Sequence, residues 1–293
     1  MVLRRSADCV VRANAQIAES PLWDSRINML LWADIARGEL WRSDVGSGDS
    51  ELHALHGPLG SISPLESHGY LLAGGDSVSA IDAFGERPYP LATAFDDRRL
   101  KLNDGALDSD GRFWVGSVSI SGTKGLGSLY CLDKHQELQP ILSDVTLSNG
   151  MDWSPDDRCF YYVDSSTGGV DAFDYHPAEP AIVNRRRLIE IPGELGLCDG
   201  LAVDTDGCIW LAIWFLGEVR RYSPDGSLIE IVSVPAALTT SCAFGGSDLK
   251  TLFITTAKGL SRDGRQAGEL AGSIFAIETN TRGQSRPAFG MPR

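Results

Sequence analysis

One unit recurs along this chain, and its spacing leaves few folds open. Asn103-Asp-Gly-Ala-Leu-Asp108-Ser-Asp-Gly111 and Asp199-Gly-Leu-Ala-Val-Asp204-Thr-Asp-Gly207 each precede an apolar run with a tryptophan, Arg-Phe-Trp114-Val and Cys-Ile-Trp210-Leu-Ala. A third copy runs from Asn149 through Trp153 and Ser154 to Tyr161, and a fourth from Glu19 through Asp24 to Trp32. Weaker copies begin at Ser63 and Ser241. The six lead residues are spaced 44, 40, 46, 50 and 42 apart, close to the periods of about 40 to 50 residues typical of propeller blades.

Within each copy a short strand meets an Asp/Ser/Gly turn, then an apolar or aromatic strand, another turn and a third strand such as Gly169-Val-Asp-Ala-Phe-Asp174. That pattern is a meander. Amphipathic stretches of helical period are absent, so the chain reads as all-β: a six-bladed β-propeller of four-stranded antiparallel blades. Radial repetition protects the sheet edges. Closure requires the chain ends to share a blade, and Asp8-Cys-Val-Val-Arg-Ala13 is expected to pair in the last one, beside Leu252 to Ile254 and Ser273 to Ile277. The uninterrupted repeat favours a single domain over 1–293, although 293 residues would by length alone admit one or two.

The longest strongly apolar stretch, Cys208 to Leu216, falls far short of the roughly 20 residues of a membrane helix. Met1-Val-Leu-Arg-Arg-Ser-Ala-Asp lacks a following apolar segment and cleavage site, so a cytoplasmic protein is expected, with no membrane partner. The net charge of −13 argues against nucleic acid, whose phosphates demand a basic footprint, and favours cations. The six cysteines show neither Cys-x-x-Cys nor zinc-finger spacing and read as reduced packing thiols. Cys198, next to Asp199, is a weak candidate nucleophile without a histidine motif to activate it.

In a propeller the innermost strands all begin at one rim, so their first residues face a common channel. Glu19 and Asp199 would bring two carboxylates there, and Asn103 and Asn149 two amide oxygens. Hard divalent cations such as calcium and magnesium favour that set. Without a cation, two carboxylates in a closed cavity would repel, and one would tend to take up a proton. The plain alternative is that Asn-Gly and Asp-Gly merely form turns. That role is already filled further along each copy by Asp108, Asp110, Asp204 and Asp206, so the lead residues call for another explanation. Trp32, Trp114, Trp153 and Trp210 read as packing between blades, whereas Trp214 and Phe215 are candidates for the channel entrance.

Ala18-Glu19-Ser-Pro-Leu-Trp23, Leu102-Asn-Asp-Gly105 through Gly116, Ser148-Asn-Gly-Met-Asp-Trp-Ser154, Phe160-Tyr-Tyr-Val-Asp-Ser165, Val170-Asp-Ala-Phe-Asp-Tyr175 and Thr240-Ser-Cys-Ala-Phe-Gly-Gly246 together resemble the regucalcin/gluconolactonase/luciferin-regenerating family, in order and over nearly the whole chain. The resemblance implies one catalytic divalent metal (calcium, zinc, magnesium, manganese or ferrous iron) held by Glu19, Asn149 and Asp199. It also implies a sugar-lactone substrate contacted by Asn103 and Lys101. Regucalcin-like members carry Arg at position 101, and a lone ammonium cannot make the planar two-pronged contact of guanidinium. Ser121, in Ser119-Ile-Ser-Gly122, stands where those members have an acidic stretch.

The expected chemistry is metal-assisted hydrolysis of a lactone such as gluconolactone or a pentonolactone, with Asp199 as general base and with Lys101 and Asn103 orienting hydroxyls or stabilising the oxyanion. Three rivals stand beside it. The same site could open aryl esters or organophosphates, with Trp214 and Phe215 as an apolar wall. The chain could be a calcium-binding regulator without turnover. A protein-interaction propeller is disfavoured, because such surfaces need no internal carboxylates.

Overall fold

The computed structural model describes residues 2–285 and 287–290. Its strands form six sheets arranged as a propeller. Blade one is Ala18–Asp24, Met29–Asp34, Glu39–Ser43 and Ser50–Ala54, each paired antiparallel with the next. Blades two, three and four repeat the meander, with inner strands Ser61–Pro64, Leu100–Leu107 and Ser148–Trp153. Blade five starts at Leu197–Val203 and blade six at Thr239–Gly245. The inner strands touch one another in cyclic order, one to six and back to one, around a central channel. Among the described residues the only helical element is the single 3-10 turn Ser165–Thr167.

Ring closure follows the expectation. Asp8–Val11 pairs antiparallel with Ile274–Glu278 and supplies the fourth strand of blade six. The segment before it adds a feature that the sequence pattern did not signal. Leu3–Ser6 pairs in parallel with Leu228–Ser233 as a fifth strand on blade five. The amino-terminal stretch therefore covers two sheet edges that would otherwise expose unpaired backbone groups.

The core lies between blades. Trp32, Trp114, Trp153 and Trp210 are fully buried, as their packing role requires. Trp114 of blade three meets Trp153 of blade four edge-on, with ring centroids 5.7 Å apart, a favoured aromatic geometry.

The turn aspartates do more than shape hairpins. Buried Asp108 accepts hydrogen bonds from the Asp110 and Arg112 amides, Arg112 Nε, Trp114 Nε1 and, across the blade boundary, Tyr175 OH. Asp204 accepts from the Asp206 and Cys208 amides, Trp210 Nε1 and Arg221 Nε. Asp24 accepts from Tyr70 OH of blade two. Their partners offset the cost of burying these charges.

After the last strand, the chain runs beneath the hairpin end of the channel. Gly283 bridges Asp204, Gln284 Nε2 donates to the carbonyls of Trp153 and Val203, and buried Phe289 pairs with Leu65. Between this strap and the inner strands lies a cavity of about 520 Å³ whose lining includes Trp23, Asp104, Met151, Asp152 and Phe244.

Candidate metal centre

Five of the six inner strands carry a β-bulge near their first residues. The ladder slips between Glu19 and Leu22, Leu102 and Gly105, Ser148 and Met151, Cys198 and Leu201, and Thr239 and Cys242. A bulge leaves a residue unpaired and re-aims its side chain. Asn103, Asn149 and Asp199 lie within these bulges, and Glu19 lies at the edge of one. The strands of blades four, five and six can crowd this closely because Asn149 and Asp199 are each followed by glycine. A Cβ on Gly150 would fall 2.3 Å from the Leu201 amide nitrogen, and one on Gly200 2.1 Å from Ser241 Oγ.

The register needs correction in the first copy, where Ser20 rather than Glu19 stands level with Asn149, and in the two weaker copies. Counted from the paired ends of the ladders, Thr240 rather than Ser241 matches Asn149, and Gly60 rather than Ser63. Thr240 turns its hydroxyl to the Ala18 carbonyl and to Thr255, and the blade-two strand has no bulge. Their hairpins differ in length from the other copies, which misled the count back from the turn.

A chain of hydrogen bonds orients the amides. Asn103 Nδ2 donates to Asn149 Oδ1 at 2.9 Å and to the Ser148 carbonyl at 2.8 Å. Asn149 Nδ2 donates to Ser165 Oγ, which donates to the Cys198 carbonyl. Blades three, four and five are thereby linked at the site. The carboxylates share one anchoring device, in which each accepts the amide of the following residue: Ser20 for Glu19, Gly105 for Asp104 and Gly200 for Asp199.

The electrostatics fit a cation. Burial, reinforced by the charge of Asp104, pushes the Glu19 carboxyl up to about 8, although its neighbour Lys101 opposes the shift. Burial followed by the charges of Glu19 and Asp104 holds Asp199 well above the ordinary carboxylate range. Burial alone raises Asp104 to about 6. Three carboxylates thus crowd one channel with a single ammonium for company. Burial also lowers the Lys101 ammonium, against the pull of Glu19. A divalent cation plus Lys101 would balance three negative charges. The donor types, two carboxylates and one amide oxygen, suit a hard cation. Among the described residues no three His, Cys, Asp or Glu side chains are placed to hold a metal together.

Other candidates divide. Lys101 sits two residues before Asn103 on the same strand, and its side chain makes no hydrogen bond among the described residues. Ser121 bonds Thr123 Oγ1 in the loop after Phe113–Ser119. Trp214 and Phe215 meet edge-on at the end of Ile209–Trp214, with the Arg262 guanidinium 4.9 Å over the Phe215 ring. Cys198 is fully buried and its thiol is pushed up to about 12, which removes it as a nucleophile. Asp104 was not singled out in the sequence: in Asn-Asp-Gly it reads as a turn residue.

The family model of the SMP-30/Gluconolactonase/LRE-like region matches residues 17–258, a span holding every candidate ligand. The chain belongs to this family. It is 34% identical to regucalcin of Sus scrofa over 278 residues, covering 92% of this chain and 93% of that protein. Human regucalcin is 32% identical with the same coverage. Among solved structures, a calcium-binding protein, regucalcin, from Agrobacterium tumefaciens superimposes with a TM-score of 0.91 at 26% identity, covering 99% of each chain. A gluconolactonase from Xanthomonas campestris, 21% identical, shares the fold with a TM-score of 0.76 over 93% of this chain and 89% of that one.

Proposed function

We propose that this protein is a divalent-cation-dependent lactonase that opens a sugar lactone, an aldonolactone such as gluconolactone or a pentonolactone, to the aldonic acid. The observation that supports it most is that Asn103, Asn149 and Asp199 lie in the bulges of three separate blades and Glu19 at the edge of a fourth, with Asn103 bonded to Asn149. Family membership points the same way. Glu19, Asn149 and Asp199 would hold the cation, which when bound supplies Lewis acidity to the lactone carbonyl and to water.

The chain's own groups account for the rest. Asp199, anchored through one oxygen by the Gly200 amide, accepts the proton of the attacking water as the water oxygen bonds to the carbonyl carbon. The ring C–O bond then breaks, and the departing alkoxide takes that proton back from Asp199. Lys101 and Asn103 orient the sugar hydroxyls, with the ammonium offering charge to the developing oxyanion. Asn103 shares its amide with Asn149, so it positions substrate and ligand together.

A second reading is calcium binding without turnover, favoured by the description of the Agrobacterium relative as a calcium-binding protein. One experiment separates the two. Gluconolactone, xylonolactone, galactonolactone and arabinonolactone are assayed by acid release after chelation and after return of each metal singly. The lactonase reading expects activity that chelation abolishes and a metal restores, with Asp199→Asn at least about 100-fold slower. Calcium binding with no lactone opened under any metal would overturn it.

A further inference from the structure

Asp104 has no role in the ligand set or in the substrate contacts proposed above. It follows Asn103 in the blade-three bulge and lines the channel cavity on the strap side. Its Oδ1 accepts the Gly105 amide at 2.8 Å, and Oδ2 has no hydrogen-bond partner among the described residues. The Asp24, Asp108 and Asp204 carboxylates, by contrast, are each matched by an arginine. The charge of Asp104 acts on both Glu19 and Asp199, which also repel each other, and Lys101 acts on Glu19 in the opposite sense. Asp104 also does not join Glu19 and Asp199 in any three-carboxylate group placed to hold a metal.

A half-buried carboxylate that repels two others and has no arginine destabilises the metal-free fold, so its presence calls for a compensating positive charge. We propose that Asp104 is a positioning residue of the metal centre, an outer carboxylate that strengthens cation binding by Glu19, Asn149 and Asp199 without ligating the ion. This inference rests on the metal-dependent reading above and adds to it the source of part of the affinity. Lys101 has the opposite effect. It neutralises the same channel and so competes with the cation for the three negative charges.

The test is calorimetric titration of calcium, magnesium, manganese and zinc into the chelator-stripped full-length protein, with melting curves of the metal-free forms. Asp104→Asn keeps the shape and the Gly105 contact while removing the charge. It is expected to weaken binding of the preferred cation by about 10-fold or more, while the metal-free variant melts no lower than the parent. Lys101→Met is expected to tighten binding. A carboxylate with a merely structural role would lower the melting point and leave the affinity alone. Should Asp104→Asn fail to fold, the Lys101→Met titration decides, since unchanged or weaker binding there contradicts the charge account. A parent protein that binds none of the four cations overturns the metal reading and this inference with it. A parent that binds, with Asp104→Asn equal to it within twofold, overturns this inference alone.

Discussion

At the residue scale, the site departs from the rule that governs the rest of the molecule. Elsewhere a buried carboxylate is surrounded by donors, as Asp34 is by the Gln16, Ile17 and Ala36 amides and Arg37. Glu19, Asp104 and Asp199 have one backbone amide each and repel one another. The consequence is an unusual pH response. Folded-state affinities for protons are raised, Glu19 from 4.5 to about 8 and Asp104 from 3.8 to about 6. The folded protein therefore binds more protons than the unfolded chain across that window, and the stability of the metal-free form falls as pH rises from about 4.5 to about 8. Thermal melts in chelator should show a lower melting temperature at pH 8 than at pH 5.5. Saturating cation should shrink or reverse that difference, because ligation needs the deprotonated groups. A metal-free melting temperature that rises steadily over the same interval would contradict the placement of these three charges.

At the element scale, the bulge is the device that turns a repeat into a site. It was not legible in the sequence, because it changes the pairing of two residues without changing the period of the repeat. The lead residues could still be found, since Glu19, Asn103, Asn149 and Asp199 each stand five positions before a turn residue, although Glu19 is the last paired residue before its bulge and the other three lie inside theirs. The count failed at Ser63 and Ser241, where the hairpins differ. Asp104 was hidden by the turn-like Asn-Asp-Gly, and Leu3–Ser6 by a sequence, Leu-Arg-Arg-Ser, without alternation. The two amino-terminal strands also differ in what they should be worth. Asp8–Val11 completes blade six, whereas Leu3–Ser6 adds to a blade already four-stranded. Removing residues 1–6 should lower the melting temperature by no more than about 5 °C, and removing 1–11 by about 10 °C or more, with aggregation through the bared Ile274–Glu278 edge. Equal losses from the two truncations would show that ring closure does not depend on the paired strand.

At the scale of the whole molecule, periodicity alone sufficed for the blade number and for closure by the amino-terminal strand, because every blade must bury the same apolar faces against its neighbours. Periodicity says nothing about substrate. The features that would select one lactone, Lys101, Ser121 and the Trp214–Phe215 pair, sit on rim loops or strand ends where the repeat imposes no constraint. Gly283, Gln284 and Phe289, which follow the last strand, give the channel two unlike ends, one with the candidate ligands and one beneath the hairpins.

The central claim is that residues from blades one, four and five hold one divalent ion. The direct measurement is an anomalous difference map from crystals soaked in manganese after chelation. The account predicts one strong peak in the channel, bounded by Glu19, Asn149 and Asp199, with Asp104 outside the coordination sphere. A map with no peak among those three side chains, or with its strongest peak elsewhere on the protein, would contradict it.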